Sequence, residues 1–217
     1  VIYNGEVKGI DDVPASSSGW LEGQGIFETI KSVGNKPFSL SRHIARAQSS
    51  ALALGITIPN SDQISQGVTE LFAAVPHGLG MLRISFDNQG NWLAVHMPYA
   101  EQEKSCDVRK HPDAVAGDVH KRFPYTNRLA ILEQARLAGF DDAVVVNGQG
   151  NICEGSVTNL IANIDGRWVT PPTTDVVLPG IIRQILIENH LIAIESIPAE
   201  RLVEITSAFF ISSLRLS

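Results

Sequence analysis

The apolar residues change period twice within the first seventy positions, and that change limits the fold more than any other feature. Residues 24–32 are mainly apolar and β-prone around Ile26, Phe27 and Ile30. Gly34-Asn35 then makes a turn into Lys36-Pro37-Phe38. From there the spacing becomes helical. Ile44, Ala47, Ala51 and Leu54 share one face, with Ser39 or Ser41 as N-cap and Gly55 closing the end. After Pro59 a second helix puts Ile64, Val68, Leu71 and Phe72 inward. A chain that alternates strand and helix periods in this way is a mixed α/β or α+β protein.

The rest of the chain extends that reading. Val1-Ile2-Tyr3-Asn4-Gly5 reads as an edge strand, and residues 81–86 and 92–97 as a hairpin across Asn88-Gln89-Gly90. The polar stretch 99–119 lacks periodicity and divides the chain into a small N-terminal domain, 1–98, and a larger domain, 120–217. In the second half a helix is expected over about 127–138, stopped by Gly139. Strands follow at Ala143–Val146 and Ser156–Ile164, the latter returning through Asp165-Gly166 to Arg167–Thr170. Leu178-Pro179-Gly180 opens a helix over roughly 181–191, and Ala208–Ser212 is a last strand.

Composition narrows the function classes. The formal net charge is -6 and no Lys/Arg run exceeds two residues, so nucleic acid is a poor partner. No apolar run approaches the roughly 20 residues that span a bilayer, so no membrane role is expected. Cys106 and Cys153 read as two reduced thiols of a cytoplasmic protein, with no zinc-type spacing and no metal expected. The absence of an initiator Met suggests a segment before Val1. With 217 residues, 44% of them hydrophobic, the chain has room for a core and a cleft.

Three places could carry chemistry. Lys121, among the chain's few lysines, lies between His120 and Arg122 at the start of a predicted helix-forming stretch. Positive neighbours disfavour its ammonium form, which suits Schiff-base chemistry. Glu154 follows a turn at the mouth of an apolar strand, where a carboxylate could pair with a buried cation. Gly180-Ile181-Ile182 offers backbone N–H groups at a helix start, an arrangement that suits phosphate, and Arg46 could add a charged fork to the same anion. Each of these residues taken alone also has an ordinary structural reading: exposed lysine, strand-end glutamate, Pro-Gly helix entry, surface arginine.

In combination they carry a resemblance. Gly23-Gln24-Gly25-Ile26-Phe27-Glu28-Thr29-Ile30, His43-Ile44-Ala45-Arg46, the Lys121 segment, Glu154-Gly155-Ser156-Val157-Thr158-Asn159-Leu160 and Leu178-Pro179-Gly180-Ile181-Ile182-Arg183 occur in the order found in class IV pyridoxal-phosphate enzymes. The chain thus resembles that family, which includes aminodeoxychorismate lyase, D-amino-acid aminotransferase and branched-chain aminotransferase.

The resemblance implies a two-domain, fold-type IV α+β architecture like that of D-amino-acid aminotransferase, with pyridoxal 5′-phosphate as cofactor. It implies that Lys121 forms the internal aldimine and later moves a proton, and that Glu154 faces the pyridine nitrogen. Arg46 and the backbone amides of Ile181 and Ile182 would hold the phosphate. Tyr125 would meet the ring hydroxyl, and Ser213, with Ser212, would lie in the last phosphate-side loop. It further implies a homodimer acting on a small-molecule amino substrate.

Short length, Phe27 and the Ser213-Leu214-Arg215 ending look most like aminodeoxychorismate lyase, which converts 4-amino-4-deoxychorismate to 4-aminobenzoate and pyruvate in folate biosynthesis. The alternatives are an aminotransferase of small or branched-chain amino acids and a non-catalytic ligand-binding member of the fold. Three positions depart from the family pattern: Ser17-Ser18-Gly19 stands for Asp-Arg-Gly, Pro124 for Asn and Ile182 for Thr.

Overall fold

The computed structural model describes residues 1–16, 19–101 and 105–215; Ser17 and Ser18 of the departing segment lie outside them. The chain forms two units, Val1–Glu101 with His120–Pro124, and Gln102–Val119 with Tyr125–Ser217.

The first unit begins with short strands β1 (Ile2–Tyr3) and β2 (Glu6–Val7), followed by β3 (Gly25–Val33) and β4 (Lys36–Pro37). Helices α1 (Leu40–Leu54) and α2 (Ser61–Ala74) precede the hairpin β5 (Leu79–Asp87) and β6 (Trp92–Pro98). β7 (Val108–Ala114) belongs to the second unit, and β8 (Arg122–Phe123) returns to the first.

The sheet runs β2-β1-β6-β5-β3-β4, and β8 pairs with β3 through Gly25–Phe123 and Ile26–Arg122. Ile26, Ile30, Leu82, Ile84 and Phe86 point to one face and pack under Ile44, Ala47 and Ala51 of α1 and Ile64, Val68, Leu71 and Phe72 of α2. Period-2 and period-3.6 apolar rows meet there, which is why the two elements form together.

α1 ends where Gly55 turns left-handed (φ 68°) and its N–H reaches the carbonyls of Ala51 and Leu52. Ser39 caps by position alone, with no side-chain hydrogen bond. α2 starts on a reciprocal box: Asn60 accepts from the Gln63 N–H, and the Gln63 side chain accepts from the Asn60 N–H.

In the second unit α3 (Thr126–Leu137) is followed by β9 (Asp142–Val146), β10 (Asn151–Gly155), β11 (Asn159–Ile164) and β12 (Arg167–Thr170). Next come α4 (Ile181–Glu188), β13 (Ala193–Ile194), β14 (Ile197–Pro198) and β15 (Ile205–Ile211). The sheet order is β13-β12-β11-β10-β9-β7, with β14 on β10 and β15 on β11. β9 is covered on both faces. Val144 and Val146 join Ile152, Leu160 and Ala162, while Ala143 and Val145 meet Ile131 and Ala135 of α3.

Several expectations differ from this structure. Residues 99–119 include a real strand, β7, which runs parallel to β9. Its sequence, Val-Arg-Lys-His-Pro-Asp-Ala, hides it, because one face stays exposed and polar. β1 lies inside the sheet, between β2 and β6, rather than at its edge. The strand expected over 156–164 starts only at Asn159, as β11; Ser156–Thr158 form a tight turn from β10, a strand not among those expected.

Candidate functional site

In the first unit, β3 delivers Glu28 to α1. The carboxylate is 3% exposed and takes two hydrogen bonds from Arg46, Nε to Oε1 at 2.9 Å and Nη2 to Oε2 at 2.6 Å. His43 Nδ1 lies 2.6 Å from Oε2. A carboxylate can only accept, so the ring proton sits on Nδ1. His43 and Arg46 occupy neighbouring rungs of α1, and a two-toothed grip on one acid fixes the plane of the guanidinium. Burial by itself would raise the Glu28 carboxyl. The Arg46 charge and the bonds from His43 and Arg46 outweigh it and hold the group down at about 2.

One turn further along α1, Ser50 Oγ lies 3.0 Å from His120 Nδ1. His120 precedes Lys121, whose carbonyl accepts the Phe27 N–H at 2.9 Å just before β8 joins β3. Lys121 thus leads into a short strand and not into a helix, as its sequence neighbours had implied. Its Nζ stands 4.6 Å from the centre of the Phe27 ring. Trp20 meets Phe27 edge-on at 4.5 Å, and the Arg83 guanidinium lies over Trp20 at 4.0 Å. Arg83 sits opposite Thr29 in the β3–β5 register, so it shares a sheet face with Phe27. Burial pushes its pKa down to about 10. Sequence reasoning missed Arg83, because nothing in Leu82-Arg83-Ile84 distinguishes it from an exposed strand arginine.

In the second unit, Glu154 lies within β10 and is 6% exposed. Arg128 Nη2 of α3 donates to Oε1 at 2.6 Å, while Oε2 accepts from the Leu178 N–H at 3.2 Å and from Asn159 Nδ2 at 3.3 Å. Asn159 also donates to the Leu178 carbonyl at 2.9 Å, so one side chain ties the acid to the loop that opens α4. A Cβ on Gly180 would overlap Asn159 Oδ1, which explains glycine at that N-cap. Gly180 brings no side-chain oxygen, so the first-turn N–H groups of Ile181 and Ile182 receive no side-chain cap from it.

The turn after Glu154 hangs on Asp142, which is fully buried. It accepts from the Ser156 N–H at 3.1 Å, from the Ser156 hydroxyl, and from Thr158 Oγ1 at 3.4 Å. Nearly every residue of Glu-Gly-Ser-Val-Thr-Asn therefore has a physical task. Tyr125 is the N-cap residue of α3, and its carbonyl accepts the Leu129 N–H at 3.2 Å. Ser213 follows β15 in a turn where Ser212 Oγ accepts from the N–H groups of Leu214 and Arg215, both at 3.3 Å.

Arg46, Glu28, Ser50, His120 and Lys121 are thus brought together within the first unit, and Glu154, Asn159, Arg128 and the start of α4 within the second. Among the described residues no His/Cys/Asp/Glu cluster could hold a metal, and no helix is long and apolar enough to cross a membrane.

Residues 25–216 match the family described as amino-transferase class IV, and the chain belongs to that family.

A Methanocaldococcus jannaschii protein provisionally named branched-chain-amino-acid aminotransferase is 29% identical over 191 residues, covering 78% of this chain and 66% of that protein. A Schizosaccharomyces pombe protein provisionally named aminodeoxychorismate lyase is 25% identical over 177 residues, covering 78% and 75%. Escherichia coli branched-chain amino acid aminotransferase superposes with a TM-score of 0.85 at 20% identity, covering 98% of this chain and 82% of that one. A Legionella pneumophila protein provisionally named 4-amino-4-deoxychorismate lyase gives 0.77 at 24% identity, covering 88% and 80%. The architecture is α+β of fold-type IV. The chain spans about two thirds of the length of the first of these relatives.

Proposed function

We propose that this chain is a pyridoxal 5′-phosphate enzyme in which Lys121 carries the cofactor. The supporting observation is the placement of the Lys121 amine against the Phe27 ring, on a backbone fixed to β3 and next to His120, which contacts Ser50 one helix turn beyond Arg46.

The residues suit the group. Arg46 supplies an oriented cation for a phosphate, Gly180 leaves the N–H groups of Ile181 and Ile182 to an anion, and Glu154 supplies a buried acceptor for the ring nitrogen. Tyr125 and Ser213 stand as further contacts, to the ring hydroxyl and the phosphate. When bound, the cofactor supplies an electron sink for the carbon bearing the substrate amine. Lys121 Nζ, freed as an amine when the substrate amine takes its place, would accept the proton from that carbon and pass it to the departing enolpyruvate, or to the cofactor carbon in an aminotransferase. Arg83, on the Phe27 face of the sheet, is the cation for a substrate carboxylate.

The reaction we assign is the lyase reaction: 4-amino-4-deoxychorismate loses pyruvate by elimination and leaves 4-aminobenzoate. Thr29 in Phe27-Glu28-Thr29, where branched-chain aminotransferases carry Gly, and the Ser213-Leu214-Arg215 motif favour it. The aminotransferase reading has support from the 0.85 superposition on the Escherichia coli aminotransferase and from the split of names among relatives.

Borohydride treatment of the cofactor-loaded protein, followed by peptide mass analysis, should place the adduct on Lys121. A colourless protein with no adduct rejects the cofactor reading. Pyruvate release without an amino acceptor supports the lyase, and a strict requirement for a 2-oxo acid supports the aminotransferase. Substrate recognition inside the cell, in a cytoplasmic homodimer, completes the proposal.

A further inference from the structure

Arg128 has no part in the reading above, yet it pairs closely with Glu154. Its Nη2 sits 2.6 Å from Oε1, and both side chains are close to nine-tenths buried or more. The other oxygen already accepts from Leu178 N–H and Asn159 Nδ2. A guanidinium and two neutral donors thus converge on this carboxylate. Other charged or titratable groups stand near it: Arg183 feels the Glu154 charge, while Asp175 and Glu154 both act on the Cys153 thiol, which burial first pushes up to about 11.

Arg128 is also oddly placed for a purely structural residue. Its Nη1 is buried and has no hydrogen-bond partner among the described residues. Leaving such a donor unmatched costs about 1–3 kcal/mol.

We infer that Arg128 is a positioning residue that sets the strength of the cofactor's electron sink. It holds Glu154 as half of a neutral ion pair, so the ring nitrogen meets a carboxylate of reduced basicity and is protonated less firmly than it would be opposite an unpaired acid. This rests on the cofactor reading proposed above. The consequence is chemical: a weaker sink would lower the acidity of the substrate carbon from which the Lys121 amine takes its proton.

The experiment uses the full chain loaded with pyridoxal 5′-phosphate carrying nitrogen-15 in the ring. In the wild type the ring signal at neutral pH should sit between the neutral and protonated limits. In Arg128→Gln it should move to the protonated limit, with the apparent pKa of the ring nitrogen rising by about one to three units, while Arg128→Lys stays near wild type. A merely structural arginine would change the denaturation midpoint and leave the nitrogen signal in place. An unmoved signal in folded Arg128→Gln, or a wild-type signal already at the protonated limit across the pH range, overturns the inference; the second outcome needs no variant to fold. Absence of a borohydride adduct on Lys121 in the wild type instead rejects the cofactor reading itself.

Discussion

Glu28 and Glu154 make a natural pair for comparison, one in each unit. Both are almost wholly buried, and both lie 2.6 Å from an arginine. Their surroundings differ. Glu28 comes from the middle of a regular nine-residue strand and faces two cation-capable groups presented by a single helix, one of them two-toothed. Glu154 comes from β10, whose register against β9 shifts between Ile152 and Gly155, and it is held by single bonds from three separate segments. The first carboxylate is a strut that orients Arg46. The second ties a helix, a strand and the loop before α4 to one another.

Replacement should separate the two most clearly. Glu28→Ala strands Arg46 and His43 in a buried site, and removing one side of such a pair costs about 3–5 kcal/mol. Glu154→Ala strands one guanidinium, that of Arg128, and takes an acceptor from the Leu178 N–H and Asn159 Nδ2; with one cation left unpaired rather than two cation-capable groups, it should cost less. Urea denaturation of both variants measures the gap, and a larger loss for Glu154→Ala would break the comparison.

Acid gives a second measure of the strut. The Glu28 carboxyl is depressed from its ordinary 4.5 to about 2, so its contribution is fully present above pH 4.5 and is lost as pH falls toward 2. The loss is on the order of 3 kcal/mol. Unfolding free energy measured between pH 6 and 2.5 should fall along this window in the wild type. The slope should be shallower in Glu28→Gln, which cannot ionise there.

Much of this contrast was legible in the sequence, for identifiable reasons. The strand at 24–32 and the two helices after it show because their apolar rows face one core and their polar rows face away, so the period survives in the letters. His43 and Arg46 were visible as a shared helix face, but their partner was not. Glu28 follows Phe27 in a run that reads as apolar strand, and only the approach of α1 reveals why an acid can be buried there.

β7 was illegible because Lys110, Pro112, Asp113 and Ala114 are all exposed and leave no apolar alternation, while its pairing is with β9, far along the chain. Glu154 was recognisable by motif. Its partner Arg128 was not, since a salt bridge between a helix and a strand 26 residues away leaves no spacing signature. Placing the Lys121 stretch at a helix start failed for a related reason. Arg122 and Phe123 are recruited into β8 by β3, a non-local pairing that overrides local propensity.

Gly180 sharpens the comparison on the second unit's side. Its φ of -64° is open to any residue, so an alanine there is not strained by its backbone. The added Cβ would nevertheless displace Asn159, and with it two of the ties among Glu154, Asn159 and Leu178. Gly180→Ala should cost about 1–3 kcal/mol as an overpacking change. It should also weaken the retention of inorganic phosphate or cofactor by a larger factor than Glu28→Gln does. Equal weakening would mean that the acid and the α4 start are not linked through Asn159.

The smallest effect concerns the link from α1 to Lys121. Ser50 and Arg46 lie four residues apart on α1, so one rigid helix governs both the orientation of the Arg46 fork and, through the 3.0 Å contact with His120, the backbone entering Lys121. Ser50→Ala removes one hydrogen bond from a buried hydroxyl and should cost about 1 kcal/mol, little beside the loss of the Glu28 strut. Its signature should lie in exchange. The Phe27 amide, bonded to the Lys121 carbonyl, should lose protection selectively, while the amide of Ala51 within α1 keeps its own. Uniform loss across α1 would show that Ser50 merely packs the helix. Unchanged protection at Phe27 would show that Lys121 is held by β3 and β8 without help from α1.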